Sequence, residues 1–291
     1  MKVGVYPAAV TPFDAKGAID FAALVRLLAW YKAGGCQGVV LAGTNGEGPS
    51  LSAAEKRDFV KTSVALSDGL EVILGVATPS LTEAQWLCKQ AHAGGASTVL
   101  LMPPSYFQSA SVDGISQWFE AVLDVSPVPI LIYNFPQRTG ISISAAQMAR
   151  LSSHENMLGL KDSSGQAENI VDYADALAGK GKKMYVGDET LLIRALSNGW
   201  SGTISGSANL VPGWLSQIVA EWFTDPDSAE AKFELILPVL RSIRKSPQPA
   251  ANKRILEMLG VLPSCAPRLP LEEATLAQVQ DAFELVQSIS F

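Results

Sequence analysis

Eight short apolar runs recur along this 291-residue chain, each followed by a longer stretch of helical periodicity, and this alternation restricts the possible folds more than any other feature. The runs span residues 3–10, 38–41, 71–76, 98–102, 129–133, 157–161, 182–186 and 201–204. A strand wetted on one face alternates polar and apolar residues. These runs do not, so they read as strands covered on both faces, as in a parallel sheet. Helices are predicted between them at 21–31, 53–66, 83–92, 112–124, 145–151, 167–177, 190–196 and 212–223. Several open on a residue able to cap the free N–H groups of a first turn: Asp20, Ser52 (with Glu55 in capping-box position), Thr82 and Ser144. Gly34-Gly35 and Gly94-Gly95 close two of them, as expected where the chain turns left-handed before the next strand.

Eight strand-then-helix units at about 25–30 residue spacing predict a (β/α)8 TIM barrel. An open doubly wound sheet is the alternative. It usually carries a GxGxxG turn after strand one, where this chain has Ala9-Val10-Thr11-Pro12-Phe13. Beyond residue 225 the strand pattern stops, and 229–245, 250–259 and 272–289 read as helices. The expected organisation is a barrel over 1–224 and a C-terminal helical extension over 225–291 packed on it.

Composition narrows the function. Hydrophobic residues make up 48% and charged residues 17%, which is ample for a large core, and the net charge of −6 argues against a sequence-independent grip on nucleic acid. The one basic run, Lys180 to Lys183, lies in a Gly-rich turn and reads as a solvated loop. No apolar run approaches the ~18 residues of a membrane span. Three cysteines (Cys36, Cys88 and Cys265) with no CxxC pair fit a reducing compartment, so a cytoplasmic location is expected. The two histidines, His92 and His154, form no metal-ligand spacing, and no phosphate-binding GxxxxGK[ST] occurs. Neither a metal nor another cofactor is expected.

Barrel chemistry gathers where the strands end. Those ends carry Gly43-Thr44-Asn45-Gly46-Glu47-Gly48, Ser105-Tyr106-Phe107, Tyr133-Asn134-Phe135-Pro136-Gln137-Arg138, Lys161-Asp162-Ser163-Ser164-Gly165, Gly187-Asp188-Glu189 and Ser205-Gly206-Ser207. Lys161 closes an apolar strand, and burial of an amine disfavours its charged form, as an amine nucleophile requires. A lysine paired with a strand-end carboxylate fits the same position equally well. Tyr133 ends the preceding strand and reads either as a proton shuttle or as a core aromatic. The turn around Thr44 offers N–H groups and a hydroxyl to a carboxylate. Arg138 can hold a second carboxylate, or an acidic side chain of the protein itself.

Ala8-Ala9-Val10-Thr11-Pro12-Phe13, Gly43-Thr44-Asn45-Gly46-Glu47, Tyr133 to Gly140 and Gly159-Leu160-Lys161-Asp162, in this order, resemble the dihydrodipicolinate synthase / N-acetylneuraminate lyase family. The resemblance implies a barrel with C-terminal helices, usually a homotetramer built as a pair of dimers, so a dimer or tetramer is expected here. It also implies a carbon–carbon lyase of the class I aldolase type that works without a cofactor. By the same resemblance Lys161 carries a Schiff base with pyruvate or a longer 2-oxo acid, Tyr133 transfers protons and Thr44 holds the carboxylate. Asn45, Gly46, Tyr106, Arg138 and Ser205 are the further candidates for substrate binding. The synthases of the family carry a second Thr where Asn45 stands and a Tyr where Phe107 stands, whereas Arg138 matches the synthase residue that receives the aldehyde's carboxylate. These departures favour an aldolase of 2-keto-3-deoxy or 4-hydroxy-2-oxo acids over 4-hydroxy-tetrahydrodipicolinate synthesis from pyruvate and aspartate semialdehyde. A silent barrel that only binds a 2-oxo acid is the reading from a different class.

Overall fold

The computed structural model describes residues 1–289. Its eight strands are Gly4–Pro7 (β1), Gly38–Leu41 (β2), Glu71–Val76 (β3), Thr98–Leu101 (β4), Ile130–Asn134 (β5), Met157–Asp162 (β6), Lys183–Val186 (β7) and Gly202–Ser205 (β8). All neighbouring strands pair in parallel, in the order β1-β8-β7-β6-β5-β4-β3-β2. The seam between β1 and β2 closes through a bridge of Ala8 to Val40, where the Ala9 N–H donates to the Val40 carbonyl at 2.9 Å. The result is a (β/α)8 barrel, as the alternation predicts.

Burial on both faces hides a two-residue period that the structure makes visible. Tyr6, Val40, Ile73, Leu100, Leu131, Tyr133, Tyr185 and Ile204 fill the barrel interior. Their neighbours Val5, Val39, Leu41, Leu74, Leu101, Ile132 and Val186 face outward into the layer shared with the helices. Both sets are apolar because both sides of the sheet exclude water.

The helices that follow the strands are Phe21–Ala33 (α1), Ala53–Leu66 (α2), Leu81–Ala93 (α3), Val112–Leu123 (α4), the single turn Pro136–Thr139 (α5), Ala145–Leu151 (α6), Ala167–Leu177 (α7), Leu192–Ser197 (α8) and Pro212–Trp222 (α9). Asp20 caps α1, and capping boxes at Ser52–Glu55 and Ser144–Gln147 start α2 and α6. The predicted cap Thr82 is corrected: Ser80 accepts the Glu83 N–H, so α3 begins one residue before Thr82. Gly35 and Gly95 take the left-handed conformation, with φ of 74° and 85°. The 190–196 helix is split, since a 3-10 turn at Glu189–Leu191 precedes α8.

The basic run lies in an exposed turn at 178–181, as expected, and leads into β7 at Lys183. Lys180 Nζ donates to the Ala149 carbonyl and to Ser152 Oγ, and Lys182 Nζ donates to the His154 and Met157 carbonyls. Both ammonium groups satisfy acceptors at the α6–β6 connection. After residue 225 come Pro226–Lys245 (α10), Ala250–Met258 (α11) and Leu276–Ser288 (α12). α10 lies along α9 and α12, and the segment joining α10 to α11 passes over the barrel mouth. Among the described residues no helix is long and apolar enough to cross a membrane.

Candidate active site

Strand register brings the two central candidates together. Tyr133 on β5 is the register partner of Lys161 on β6, which in turn pairs with Tyr185 on β7. Lys161 keeps only 4% of its surface exposed, and its Nζ lies 4.2 Å from the centre of the Tyr133 ring. No carboxylate pairs with it among the described residues, which removes the ion-pair reading of this lysine. Ser163 Oγ donates to Tyr133 Oη at 3.3 Å, and Phe135 stacks on the Tyr133 ring at 5.8 Å. Gly187 is required here by proximity, because a Cβ in its place would lie 3.0 Å from Lys161 Cε and 1.9 Å from Ser163 Oγ.

Lys161 and Tyr133 open into a cavity of about 470 Å³, with Thr44, Asn45 and Arg138 also on its wall. Arg138 sits on α5, a turn started by Pro136 and ended by Gly140 with φ of 68°. No acidic side chain forms an ion pair with it among the described residues, so its guanidinium is free for a ligand. The turn carrying Thr44 and Asn45 holds two non-glycine residues in left-handed geometry, Ala42 at φ 52° and Glu47 at φ 53°. Such conformations cost roughly 1–3 kcal/mol each and persist only when the surroundings enforce them.

Three candidates lie elsewhere. Gly46 is packed beneath the turn, where Thr11 Oγ1 donates to its carbonyl at 2.6 Å, and does not line the cavity. Ser205 is buried at the end of β8 and accepts the Ala208 N–H, so Ser207 reaches the cavity in its place. Tyr106 is 82% exposed and borders a neighbouring surface groove, shared with Thr44 and Arg138, instead of the cavity itself.

The cavity also contains residues that sequence reasoning did not single out. Ser163, Gly187, Glu189 and Ser207 all lie at strand ends already recognised as the functional rim. Arg244 comes from α10, and no local signal could have assigned it. Its guanidinium donates to Asp188 Oδ2 at 2.8 Å and lies 3.5 Å from Glu189 Oε2. Glu189 is fully buried and accepts a hydrogen bond from Ser207 Oγ. Burial pushes its carboxyl up to about 7, with Arg244 opposing the rise. Behind the lysine, on the outer face of the sheet, Asp162 accepts from Asn134 Nδ2 at 2.7 Å and from Ser164 Oγ at 2.6 Å. Burial raises the Asp162 carboxyl against these donors. Among the described residues no group of three or more His, Cys, Asp or Glu side chains is arranged to hold a metal ion.

The fold and the rim define a (β/α)8 barrel in which a buried amine, a phenol and the Thr44–Asn45 turn share one cavity. Residues 1–289 match the dihydrodipicolinate synthetase family, and the chain belongs to it. It is therefore a carbon–carbon lyase of the class I aldolase type. The chain is 34% identical to the 4-hydroxy-tetrahydrodipicolinate synthase of Acidiphilium cryptum over 279 residues, covering 94% of this chain and 95% of that one. It is 30% identical to 4-hydroxy-tetrahydrodipicolinate synthase 2 of Halalkalibacterium halodurans, covering 98% and 97%. Among solved structures it is similar to a dihydrodipicolinate synthase from Bacillus anthracis, with 29% identity, a TM-score of 0.92 and full coverage of both chains. It also resembles the chloride-inhibited dihydrodipicolinate synthase from Acinetobacter baumannii in complex with pyruvate, with 28% identity, a TM-score of 0.93 and coverage of 99% and 100%.

Proposed function

We propose that Lys161 forms a Schiff base with the keto carbon of pyruvate and that the derived enamine condenses with a carboxylated aldehyde, as in 4-hydroxy-tetrahydrodipicolinate synthesis from aspartate semialdehyde. The observation that carries this reading is the buried Lys161 amine, free of any carboxylate partner, beside Tyr133 in a cavity that also presents Thr44, Asn45 and Arg138. The amine attacks the keto carbon, the hydroxyl so formed takes up a proton and leaves as water, and an iminium results. The iminium accepts electrons from the adjacent C–H bond as its proton departs, giving the enamine. Tyr133, with Ser163 donating to its oxygen, moves protons to and from these intermediates. Thr44 and Asn45 hold the pyruvate carboxylate, and Arg138 receives the carboxylate of the aldehyde.

The names of the similar synthases support condensation over the aldolase preference expected from the sequence. Cleavage of a 2-keto-3-deoxy or 4-hydroxy-2-oxo acid is the second reading. It is favoured by Asn45 and by Phe107, whose phenyl ring cannot relay a proton and which does not reach the cavity. The three free, buried cysteines support a reducing, cytoplasmic setting.

Borohydride added with pyruvate is expected to leave a reduced pyruvyl group on Lys161, located by peptide mass mapping. Tyr133→Phe is expected to retain this adduct and to lose on the order of 10²–10⁴ in turnover, the usual contribution of a general acid–base group. An unmodified Lys161, or activity surviving in Lys161→Ala, would sink the mechanism. A parallel assay separates the two readings. Formation of the cyclic product from aspartate semialdehyde at about 1–10³ s⁻¹ supports the synthase, and faster cleavage of a keto-deoxy acid supports the aldolase.

A further inference from the structure

The turn that carries Thr44 and Asn45 is held from outside the barrel. Glu47, at its end, has a side chain with no exposed surface, and its Oε1 meets Lys253 Nζ of α11 at 2.5 Å. Charge attraction holds this contact, while Glu47 Oε2 accepts the Arg268 N–H at 2.8 Å. Lys253 is equally buried. It donates to the Ala266 carbonyl at 2.9 Å and lies 4.2 Å over the Phe13 ring. The residue before it, Asn252, donates to Asn45 Oδ1 at 3.2 Å and to the Gly206 carbonyl at 3.1 Å. The Arg268 side chain completes the hold, reaching the Gly17 and Ser50 carbonyls and the Glu55 carboxylate.

A fully buried ion pair is a poor source of stability. Withdrawing two charges from water offsets their attraction, and apolar residues of similar volume commonly serve the fold as well or better. What the pair does supply is position. It fixes Glu47 in a backbone conformation that a non-glycine residue avoids, three residues from Thr44 and two from Asn45. Coming from the C-terminal helices, it fixes that geometry against a rigid element beyond the barrel strands.

We infer that Glu47 and Lys253 are positioning residues for 2-oxo acid binding: through this pair the C-terminal helices set the geometry of the Thr44–Asn45 turn and hence the affinity for the substrate carboxylate. This rests on the assignment of Lys161 and Thr44 proposed above. The binding site is thus completed from two parts of the chain that are more than two hundred residues apart in sequence.

The test compares wild type with the double variant Glu47→Leu/Lys253→Met, which removes both charges and retains apolar volume. The pyruvate concentration that half-saturates borohydride trapping is expected to rise about tenfold, comparable to losing one well-made polar contact. The maximal trapping rate should change less than about threefold, because Lys161 and Tyr133 lie on other strands; the thermal midpoint is expected to fall moderately, since the replacement also leaves the Arg268 N–H and the Ala266 carbonyl without their partners. Asn252→Ala acts on the same turn without touching the ion pair, and should raise half-saturation in the same direction if the double variant does not fold. A folded double variant with unchanged half-saturation overturns the proposal. So does a uniform fall in rate, affinity and thermal midpoint, which would mark the pair as general structural support. If wild-type Lys161 is never trapped with pyruvate, the functional assignment fails first and this inference with it.

Discussion

Glu189 has the most informative chemistry of any single side chain in the cavity. Its carboxyl is pushed from an ordinary 4.5 up to about 7 by burial, so between those values the folded chain keeps a proton that the unfolded chain has released. Folding stability from this group is therefore full below about pH 4.5, declines as pH rises through that window, and levels off above about 7. Thermal unfolding of wild type and Glu189→Gln from pH 5 to 8 measures the effect: the wild-type midpoint should fall relative to the variant's as pH rises. Parallel curves would show that the folded carboxyl titrates normally. Strand-end position made Lys161 and Tyr133 candidates, the family resemblance singled them out, and the structure places them side by side in one cavity. Glu189 was in view at such an end, but its burial against Ser207 and Arg244 depends on packing that residue order does not reveal.

At the level of elements, the β5–β6 ladder sets the geometry of the amine and the phenol. One residue beyond the Tyr133–Lys161 pair, Asn134 and Asp162 are also in register, and the Asn134 amide donates across to the Asp162 carboxylate. The same amide donates to Tyr173 Oη, and Asn134 Oδ1 accepts the Ile143 N–H. These side chains alternate to the outer face of the sheet, so they join the two strands without entering the cavity. Removing the amide in Asn134→Ala leaves a buried carboxylate short of a donor. The expected cost is about 1.5–3 kcal/mol, the range for hydrogen bonds to charged groups, and urea unfolding measures it. A loss below ~0.5 kcal/mol, within the range of ordinary surface substitutions, would show that Ser164 alone satisfies Asp162. Strand positions were readable to within a few residues, because short apolar runs have few other uses. The true start of α3 was missed since Ser80 and Thr82 are chemically equivalent caps, and only backbone geometry chooses between them.

For the whole molecule, the outer surface is as telling as the cavity. Tyr106 and Phe107 pack edge to face at 5.5 Å with 82% and 53% of their surfaces exposed. Large aromatics left in solvent beside a groove mark an association surface. The chain is expected to sediment as a dimer or tetramer, and Phe107→Asp to shift it toward the single-chain mass with the pyruvate adduct on Lys161 intact. A wild-type chain that stays monomeric at micromolar concentration would remove this expectation.

The sequence by itself determined the barrel, the order of its elements and the strand-end positions of Lys161, Tyr133, Thr44 and Arg138. Each of these follows from local periodicity, capping and the placement of polar residues after apolar runs. Tertiary structure alone decided which rim residues share a cavity, which of them Arg244 reaches, and how Lys253 meets Glu47. Gly46 and Ser205 fell outside the cavity for the same reason. Side chains far apart in sequence meet through packing of α10 and α11 over the barrel mouth, and that packing depends on the summed burial of many residues with no local pattern to announce it.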